Sequence, residues 1–281
     1  MTLSQVLKRL KSESNPAAVR GMARFGITAV KAYGWSTPAL KKFAREIGKD
    51  HELAVRLWST GILEAQALAG LIDQKDKVTE SQMEDWARDF DSWAVCDGTC
   101  LNLFRYTPFA YKKCWEWSER QEEFVKRAAF ALMACLAVSD KAAPDRVFLR
   151  FLPLIRRQAV DERNYVRKAV NWALRQIGKR NRRLNQAAVE AARKIRVLNS
   201  PSARWIASDA LRELLSPAVQ RRLRLGGAGI PAKAGTRAGS SRNHAVYRLL
   251  PAFGGMTGVP QRLRVSGDTP ARGRADLTSA K

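Results

Sequence analysis

Apolar residues recur every three or four positions through most of residues 1–225, and this spacing constrains the fold more than any other feature of the chain. It is clear in FVKRAAFALMACLAV and in KAVNWALRQIGK, each of which would present one apolar face as an α-helix. Alternation of apolar and polar residues, the pattern of a half-buried strand, does not recur. The sequence therefore predicts an all-α protein.

Residues that begin and end helices mark several boundaries along the chain. Ser36 and Pro38 suit the start of a helix, and Gly48 suits its end. Thr79 and Gln82 fit a capping box, in which each side chain bonds the backbone of the other residue. These positions support the helices that the apolar spacing predicts.

The predicted helices come in pairs joined by short loops. From about Glu122 to Leu215 the average repeat is near 40 residues. That period is typical of HEAT-like and armadillo-like hairpins, which stack into a superhelix with a concave face. A compact helical bundle is the alternative architecture.

The end of the chain differs in composition from the rest. Ten of the eighteen glycines and four prolines lie in residues 226–281, which predicts a disordered Gly/Pro/Arg-rich tail after a folded domain over residues 1–225. The tail holds nine Lys or Arg and two Asp, which leaves +17 of the formal net charge of +24 on the domain. Such a charge favours an anionic partner, and nucleic acid is the commonest one. The alternatives are an acidic protein, a membrane surface, or a face that is merely solvated.

No membrane, metal or cofactor signal is found in the sequence. There is no run of about 18 apolar residues and no apolar signal core, so we expect a cytoplasmic protein with reduced cysteines and no membrane partner. Cys96 and Cys100 share a helix face, but the two histidines, His51 and His244, lie far away, so packing is predicted rather than a metal site. Nucleotide-binding glycine motifs, GxSxG and HExxH are absent, and no cofactor is predicted.

Trp93 and Asp97 lie four residues apart in FDSWAVCDG, so a helix would place them on one face. An acid held beside an aromatic ring in a water-poor site strongly stabilises a developing positive charge. The alternative is structural, with Asp97 capping a helix end near Gly98 while Trp93 packs in the core.

Basic residues stand at two unusual places. Arg127 begins a very apolar helix, where it either snorkels to solvent or faces a pocket, because a buried unpaired charge is costly. Cations surround one tryptophan at helical spacings in YVRKAVNWALRQIGKRNRR, and the set comprises Lys168, Trp172, Arg175, Lys179, Arg182 and Arg183. Such a face suits phosphate contacts with stacking on the ring. The alternative is a core tryptophan on a helix whose other side is solvated.

Six stretches in one order resemble the DNA alkylation repair family of HEAT-like-repeat glycosylases: NPAAVRGMARF, YGWSTPALKK, LWSTGILEAQALAGLI, DFDSWAVCD, FVKRAAFALM and KAVNWALRQIGK. The likeness covers roughly residues 1–225. It implies a monofunctional glycosylase that removes cationic N3- or N7-alkylated purines from double-stranded DNA. It also implies that Asp97 is the catalytic carboxylate and that Trp93 and Trp172 are the aromatic residues of the cleft. Arg127 corresponds to the cleft arginine, and Arg175 looks like a further arginine on the DNA-facing surface.

The chemistry implied by the resemblance uses these residues together. Asp97 would stabilise the cationic sugar near C1′ and orient water, and the two tryptophans would contact the same sugar. Arg127 would hold a phosphate beside the lesion, while Lys168 and Lys179 would help to grip the duplex. We expect a monomer. Two alternatives of another class are a non-catalytic helical-repeat module that binds DNA and a helical-repeat scaffold that binds proteins.

Overall fold

A computed structural model describes residues 1–27 and 31–225 of the chain. The predicted C-terminal tail, residues 226–281, lies outside the described residues. Over the described ranges the chain forms fourteen α-helices, two short 3₁₀ helices and no strand, which confirms the all-α class. The α-helices are α1 (Leu3–Ser12), α2 (Pro16–Met22), α3 (Thr37–Ile47), α4 (His51–Trp58), α5 (Leu63–Ile72), α6 (Glu80–Arg88), α7 (Trp93–Asn102), α8 (Ala110–Ser118), α9 (Glu123–Ser139), α10 (Asp145–Gln158), α11 (Asn164–Gly178), α12 (Arg182–Arg196), α13 (Pro201–Leu214) and α14 (Pro217–Leu225). The 3₁₀ helices are Ala23–Phe25 and Phe104–Tyr106.

The predicted helix boundaries at α3 and α6 are largely confirmed. Ser36 caps α3 with its hydroxyl, and Gly48 ends this helix at a φ of +82°, a backbone angle that favours glycine. The Thr79 hydroxyl accepts from the backbone N–H of Gln82 at 3.1 Å. The Gln82 side chain donates instead to Oδ2 of Asp73 at 2.7 Å, so only half of the predicted capping box forms.

The helices stack as hairpins in two layers. Helices α5, α7, α9, α11 and α13 pack side by side in chain order, and we call this set the odd-numbered layer. Helices α4, α8, α10 and α12 each pack against the odd-numbered helix that follows them. This arrangement is the predicted helical-repeat superhelix and not a compact bundle.

The repeat has two different lengths. Helices α5, α7 and α9 begin at Leu63, Trp93 and Glu123, so these repeats are 30 residues long. Helices α11 and α13 begin at Asn164 and Pro201, which gives repeats of 41 and 37 residues. The predicted period near 40 is therefore correct for the second half. The shorter period of the first half was not predicted. It arises because α4, α6 and α8 have only 8, 9 and 9 residues.

Buried side chains join neighbouring helices of the odd-numbered layer. The Cys96 and Cys100 thiols lie in the core and donate to the carbonyl oxygens of Phe124 and Ala128, at 3.6 and 3.7 Å. Their predicted packing role is confirmed. The described residues include no group of three or more His, Cys, Asp or Glu that could hold a metal ion. No helix in the described ranges is long and apolar enough to cross a membrane.

Candidate active site

Asp97 lies in the second turn of α7, one turn after Trp93, the first residue of the helix. The helix is capped by Ser92, whose hydroxyl accepts from the backbone N–H of Ala94 at 3.2 Å. Because Asp97 and Gly98 both lie inside α7, the alternative in which Asp97 caps a helix end is wrong. A Cβ at Gly98 would meet nothing within 4 Å, so the surface beside Asp97 is open at this point.

The Asp97 carboxylate and the Arg127 guanidinium form a buried two-pronged ion pair. Nε donates to Oδ1 at 2.9 Å and Nη2 donates to Oδ2 at 2.7 Å, while Nη1 donates to the carbonyl oxygen of Tyr165 at 2.7 Å. Asp97 is 5% exposed and Arg127 only 2%, so the snorkelling alternative for Arg127 is wrong. Burial opposes the charged guanidinium, but the charge and hydrogen bonds of Asp97 outweigh it and raise the pKa of Arg127.

The segment that follows α2 contacts two side chains beside this pair, Trp93 and Tyr165. Indole Nε1 of Trp93, a half-buried residue, donates to the carbonyl oxygen of Phe25 at 2.9 Å, and the Tyr165 hydroxyl donates to that of Gly26 at 2.9 Å. Gly26 has a φ of +71°, and a Cβ there would lie 2.5 Å from the Tyr165 hydroxyl oxygen. Only glycine allows this close contact.

Four chemically distinctive side chains hold the same place in four parallel helices. Each one follows the first residue of its helix by four positions, and they are Asp97, Arg127, Lys168 and Trp205. Successive contacts between neighbouring helices keep a constant offset, which shows that the helices are parallel. The offset is 28 residues from Cys96 and Cys100 to α9, and 38 residues from Asn171 and Arg175 to α13. The four side chains therefore lie at one level of the odd-numbered layer.

The two predicted tryptophans bracket this level. Trp93 lies one helical turn before Asp97 on α7, and Trp172 lies one turn after Lys168 on α11. Trp172 is half-buried and packs against the core, so the core alternative is correct in part, and the stacking role of the ring stays a prediction. When the oxygen and nitrogen of the Gln176 amide are exchanged, the oxygen accepts from Nε1 of Trp172 at 3.2 Å.

Lys168 has no hydrogen-bond or ion-pair partner for its ammonium group among the described residues. Burial lowers its pKa, and the positive charges of Arg127 and Arg167 lower it further. Arg167 lies over the ring of Trp205, with its guanidinium carbon 5.2 Å from the ring centre. Trp205, which was not predicted, is 39% exposed. The level of Asp97 therefore continues as a cationic and aromatic surface.

Arg175 and Lys179, predicted on the DNA-facing surface, form ion pairs with acidic residues of α13. Nη1 of Arg175 lies 2.7 Å from Oε2 of Glu213 and 3.3 Å from Oδ2 of Asp209, and Nζ of Lys179 lies 2.5 Å from Oε1 of Glu213. Burial lowers the pKa of Lys179, with Glu213 opposing this effect. The two acids were not predicted, although the repeat length could have found them, because Glu213 follows Arg175 by about one repeat.

Comparison with known proteins agrees with this architecture. The model of the family described as DNA alkylation repair enzyme matches residues 6–214, about three quarters of the chain. The chain belongs to the DNA alkylation repair enzyme family. The family predicted from the six quoted stretches is thereby confirmed. The match ends at the last residue of α13, so α14 lies outside it.

Two solved structures are similar to the chain. One is described as a new family of proteins related to the HEAT-like repeat DNA glycosylases with affinity for branched DNA structures. It is 19% identical with a TM-score of 0.64, and the match covers 76% of this chain and 96% of that chain. At this identity the likeness shows the fold, which is HEAT-like. The other is a designed armadillo repeat protein in complex with the peptide (KR)4, at 17% identity, coverages of 68% and 81%, and a TM-score of 0.31, too low to carry an argument. No curated protein matches the chain.

Proposed function

We propose that this member of the DNA alkylation repair enzyme family is a DNA glycosylase that excises cationic N3- or N7-alkylated purines from duplex DNA. The observation that carries the proposal is the Asp97 carboxylate, held in one geometry by Arg127 and bracketed by Trp93 and Trp172. The net charge of the chain, +24, suits a polyanionic substrate. Family membership supports alkylated DNA as the substrate, and the site offers groups that suit the reaction.

The reaction breaks the bond between C1′ of the deoxyribose and the purine nitrogen. The bonding electrons leave with the base, which becomes neutral because alkylation had made it a cation. Positive charge then moves onto the sugar as an oxocarbenium, which Asp97 stabilises because a fixed anion in a water-poor site acts strongly at short range. A water adds at C1′ and gives its proton to Asp97 or to solvent, leaving an abasic sugar.

Arg127 is the positioning group for the carboxylate in this proposal. Its guanidinium is always protonated, and its fork fixes both carboxylate oxygens of Asp97. Each oxygen keeps a lone pair for the sugar or the water, because a carboxylate can accept about four hydrogen bonds. Two of the five N–H groups of Arg127 donate to no acceptor among the described residues and would serve the phosphate contact that the family resemblance implies.

The two tryptophans contribute through their ring faces. A face that contacts the cationic sugar would add attraction of about 0.5–2 kcal/mol in the transition state. Lys168 is a cation without an acidic partner in the described structure and would contact a phosphate at the level of Asp97. Arg175 and Lys179 would contact DNA further along α11 by exchanging Glu213 for phosphate.

The test is base release from methylated duplex DNA by the full chain and by two variants. Asp97→Asn keeps the shape of the side chain but removes its charge, and we expect excision to fall roughly 10²–10³-fold. The matched control is Asp91→Asn, which neutralises an exposed carboxylate shortly before α7 and should excise normally. Normal release by a folded Asp97→Asn variant would overturn the proposed role of the carboxylate.

A second candidate function is DNA binding without excision. Asp97 is 5% exposed and both of its oxygens accept from Arg127, an arrangement that also suits a purely structural pair. The similar solved structure with affinity for branched DNA gives this candidate a precedent. It predicts salt-sensitive DNA binding by the wild-type chain with no base released from methylated duplex.

A further inference from the structure

A strongly basic cavity lies at the far end of α11 from Asp97. It has a volume of about 560 Å³ and is formed where α9 and α11 end, α10 and α12 begin, and α14 passes. One lining residue, Asp145, is acidic. Six are basic, namely Lys141, Lys179, Arg180, Arg182, Arg183 and Arg222.

Three of the six cations are held by the protein itself. Arg180 donates to the carbonyl oxygens of Ala137, Lys141 and Ala143 at 3.1, 3.2 and 2.7 Å, and so closes the C-terminal end of α9. Lys179 pairs with Glu213. Arg222 donates to the backbone carbonyl of Lys179 at 3.0 Å. These contacts shape the cavity and fix its positive charge.

The other three cations, Lys141, Arg182 and Arg183, have no hydrogen-bond or ion-pair partner for their side chains within the described residues. Asp145, the one acid among the described residues of the lining, accepts from the Asn181 amide at 2.7 Å. Partial desolvation lowers the pKa of Lys141, and repulsion from Arg180 and Arg222 lowers it further. Three cations without an acidic partner within the described residues, gathered in one cavity, suit an anion from outside the chain.

The position of the cavity relates it to Asp97. Lys168 lies at the level of Asp97, and Lys179, the C-cap of α11, lies in the cavity wall. The two residues are eleven positions apart on one side of the helix, which corresponds to roughly 16 Å along its axis. B-form DNA advances about 3.4 Å per nucleotide of one strand, so this distance spans about five nucleotides. A duplex that places an alkylated base at Asp97 and follows α11 would therefore bring a phosphate to the cavity.

We propose that this cavity binds a backbone phosphate of the same DNA, about five nucleotides from the alkylated base. The register of five nucleotides rests on the proposed function, because it is counted from Asp97. Arg182, Arg183 and Lys141 are exposed at the surface, where a polymer can reach them. The site would act as a second anchor that aligns the duplex along α11.

The first experiment measures DNA binding alone and does not depend on excision. The variant Lys141→Gln/Arg182→Gln/Arg183→Gln is compared with Arg156→Gln/Arg193→Gln/Arg196→Gln, which removes three exposed cations from the even-numbered helices α10 and α12. The slope of log affinity against log salt, measured on a long unmodified duplex, should fall by about one unit in the cavity variant and stay unchanged in the control. Equal slopes in both variants would overturn the phosphate contact.

The second experiment measures the register. One flank of a duplex with a central abasic site is shortened stepwise, first on one side and then on the other. Wild type should lose affinity when one flank falls below about five nucleotides, and the cavity variant should show no such step. A reduced salt slope without any step would retain the phosphate site but overturn its register, and failed base release by wild type would separately overturn the proposed function.

The third experiment distinguishes DNA from a small phosphate compound. Melting temperatures of wild type and the cavity variant are compared in inorganic phosphate and in pyrophosphate. One outcome would overturn the proposal: phosphate or pyrophosphate raises the melting temperature of wild type alone, while wild type and the cavity variant have equal salt slopes for DNA. The cavity would then bind a free phosphate compound. A lower slope in the cavity variant without such stabilisation would support the backbone phosphate.

Discussion

Two ion-pair clusters on the odd-numbered layer have the same chemistry but different burial. The side chains of Asp97 and Arg127 are 8% and 3% exposed, whereas those of Glu213 and Arg175 are 30% and 26% exposed. Water screens the second cluster, so its cations can exchange an acidic residue for a phosphate at small cost. The first cluster has little water around it and a single geometry, which suits an anion that must stay in place during a reaction.

The largest expected effect comes from breaking the buried cluster. In Arg127→Met the Asp97 carboxylate would stay buried without its partner, and we expect a loss of about 3–5 kcal/mol in the free energy of unfolding. Urea denaturation at neutral pH measures the loss. Adding Asp97→Asn to this variant should recover part of the stability, because no buried charge then remains unpaired. A double variant that is less stable than Arg127→Met would contradict this account.

Trp172 lies on α11, one turn after Lys168 and one turn before Arg175. Its replacement should have an intermediate effect, on the rate of excision. Trp172→Ala should lower the rate of excision by a factor between about 2 and 30, because the ring loses its contact with the cationic sugar. Single-turnover release of methylated base measures this change. The matched control is Trp117→Ala, whose ring is fully buried and whose loss should cost about 3–5 kcal/mol of stability. An equal loss of stability in both variants would make Trp172 a core residue and not a site residue.

Breaking the partly exposed cluster should have little effect on stability. In Arg175→Met we expect the free energy of unfolding to change by less than about 1 kcal/mol, because water screens the pair with Glu213. The same urea experiment measures it beside Arg127→Met. DNA affinity should fall with a smaller salt slope, since one phosphate contact is lost. If the two methionine variants lost equal stability, burial would not be what separates the clusters.

The smallest expected effect is a pH dependence of the second cluster. Burial alone would raise the pKa of Glu213, but Lys179 and Arg175 lower it below the ordinary value of about 4.5. A lowered folded pKa gives stability that is present above pH 4.5 and is lost as the pH falls below it. Wild type should therefore be more stable than Glu213→Gln at pH 7, and the difference should shrink towards pH 3. A difference that stays constant between these pH values would exclude this contribution.

Local sequence predicted the helices well and their partners poorly. The boundary of α3 follows from Ser36 and Gly48, because capping depends on neighbouring residues only. The Gln82 side chain left the predicted capping box for Asp73, nine residues earlier. The spacing left open whether Arg127 reaches solvent or faces a pocket, because its partner lies 30 residues away and meets it only when α9 packs on α7. The family resemblance predicted Asp97, Trp93, Trp172 and Arg127 as site residues, but it did not show which contacts hold them in place.

The sequence by itself determined the helical class, the shared face of Trp93 and Asp97, and the excess of positive charge, because these depend on residue spacing and composition. Only the tertiary structure decided that Asp97 is paired and buried while Lys168 has no acidic partner in the described structure. It also decided that Glu213 pairs with Arg175 and Lys179, and that cations without a partner among the described residues collect beside the end of α11. The physical reason is that charge pairing depends on which helices pack together and at what register, and side-chain periodicity within one helix does not specify either.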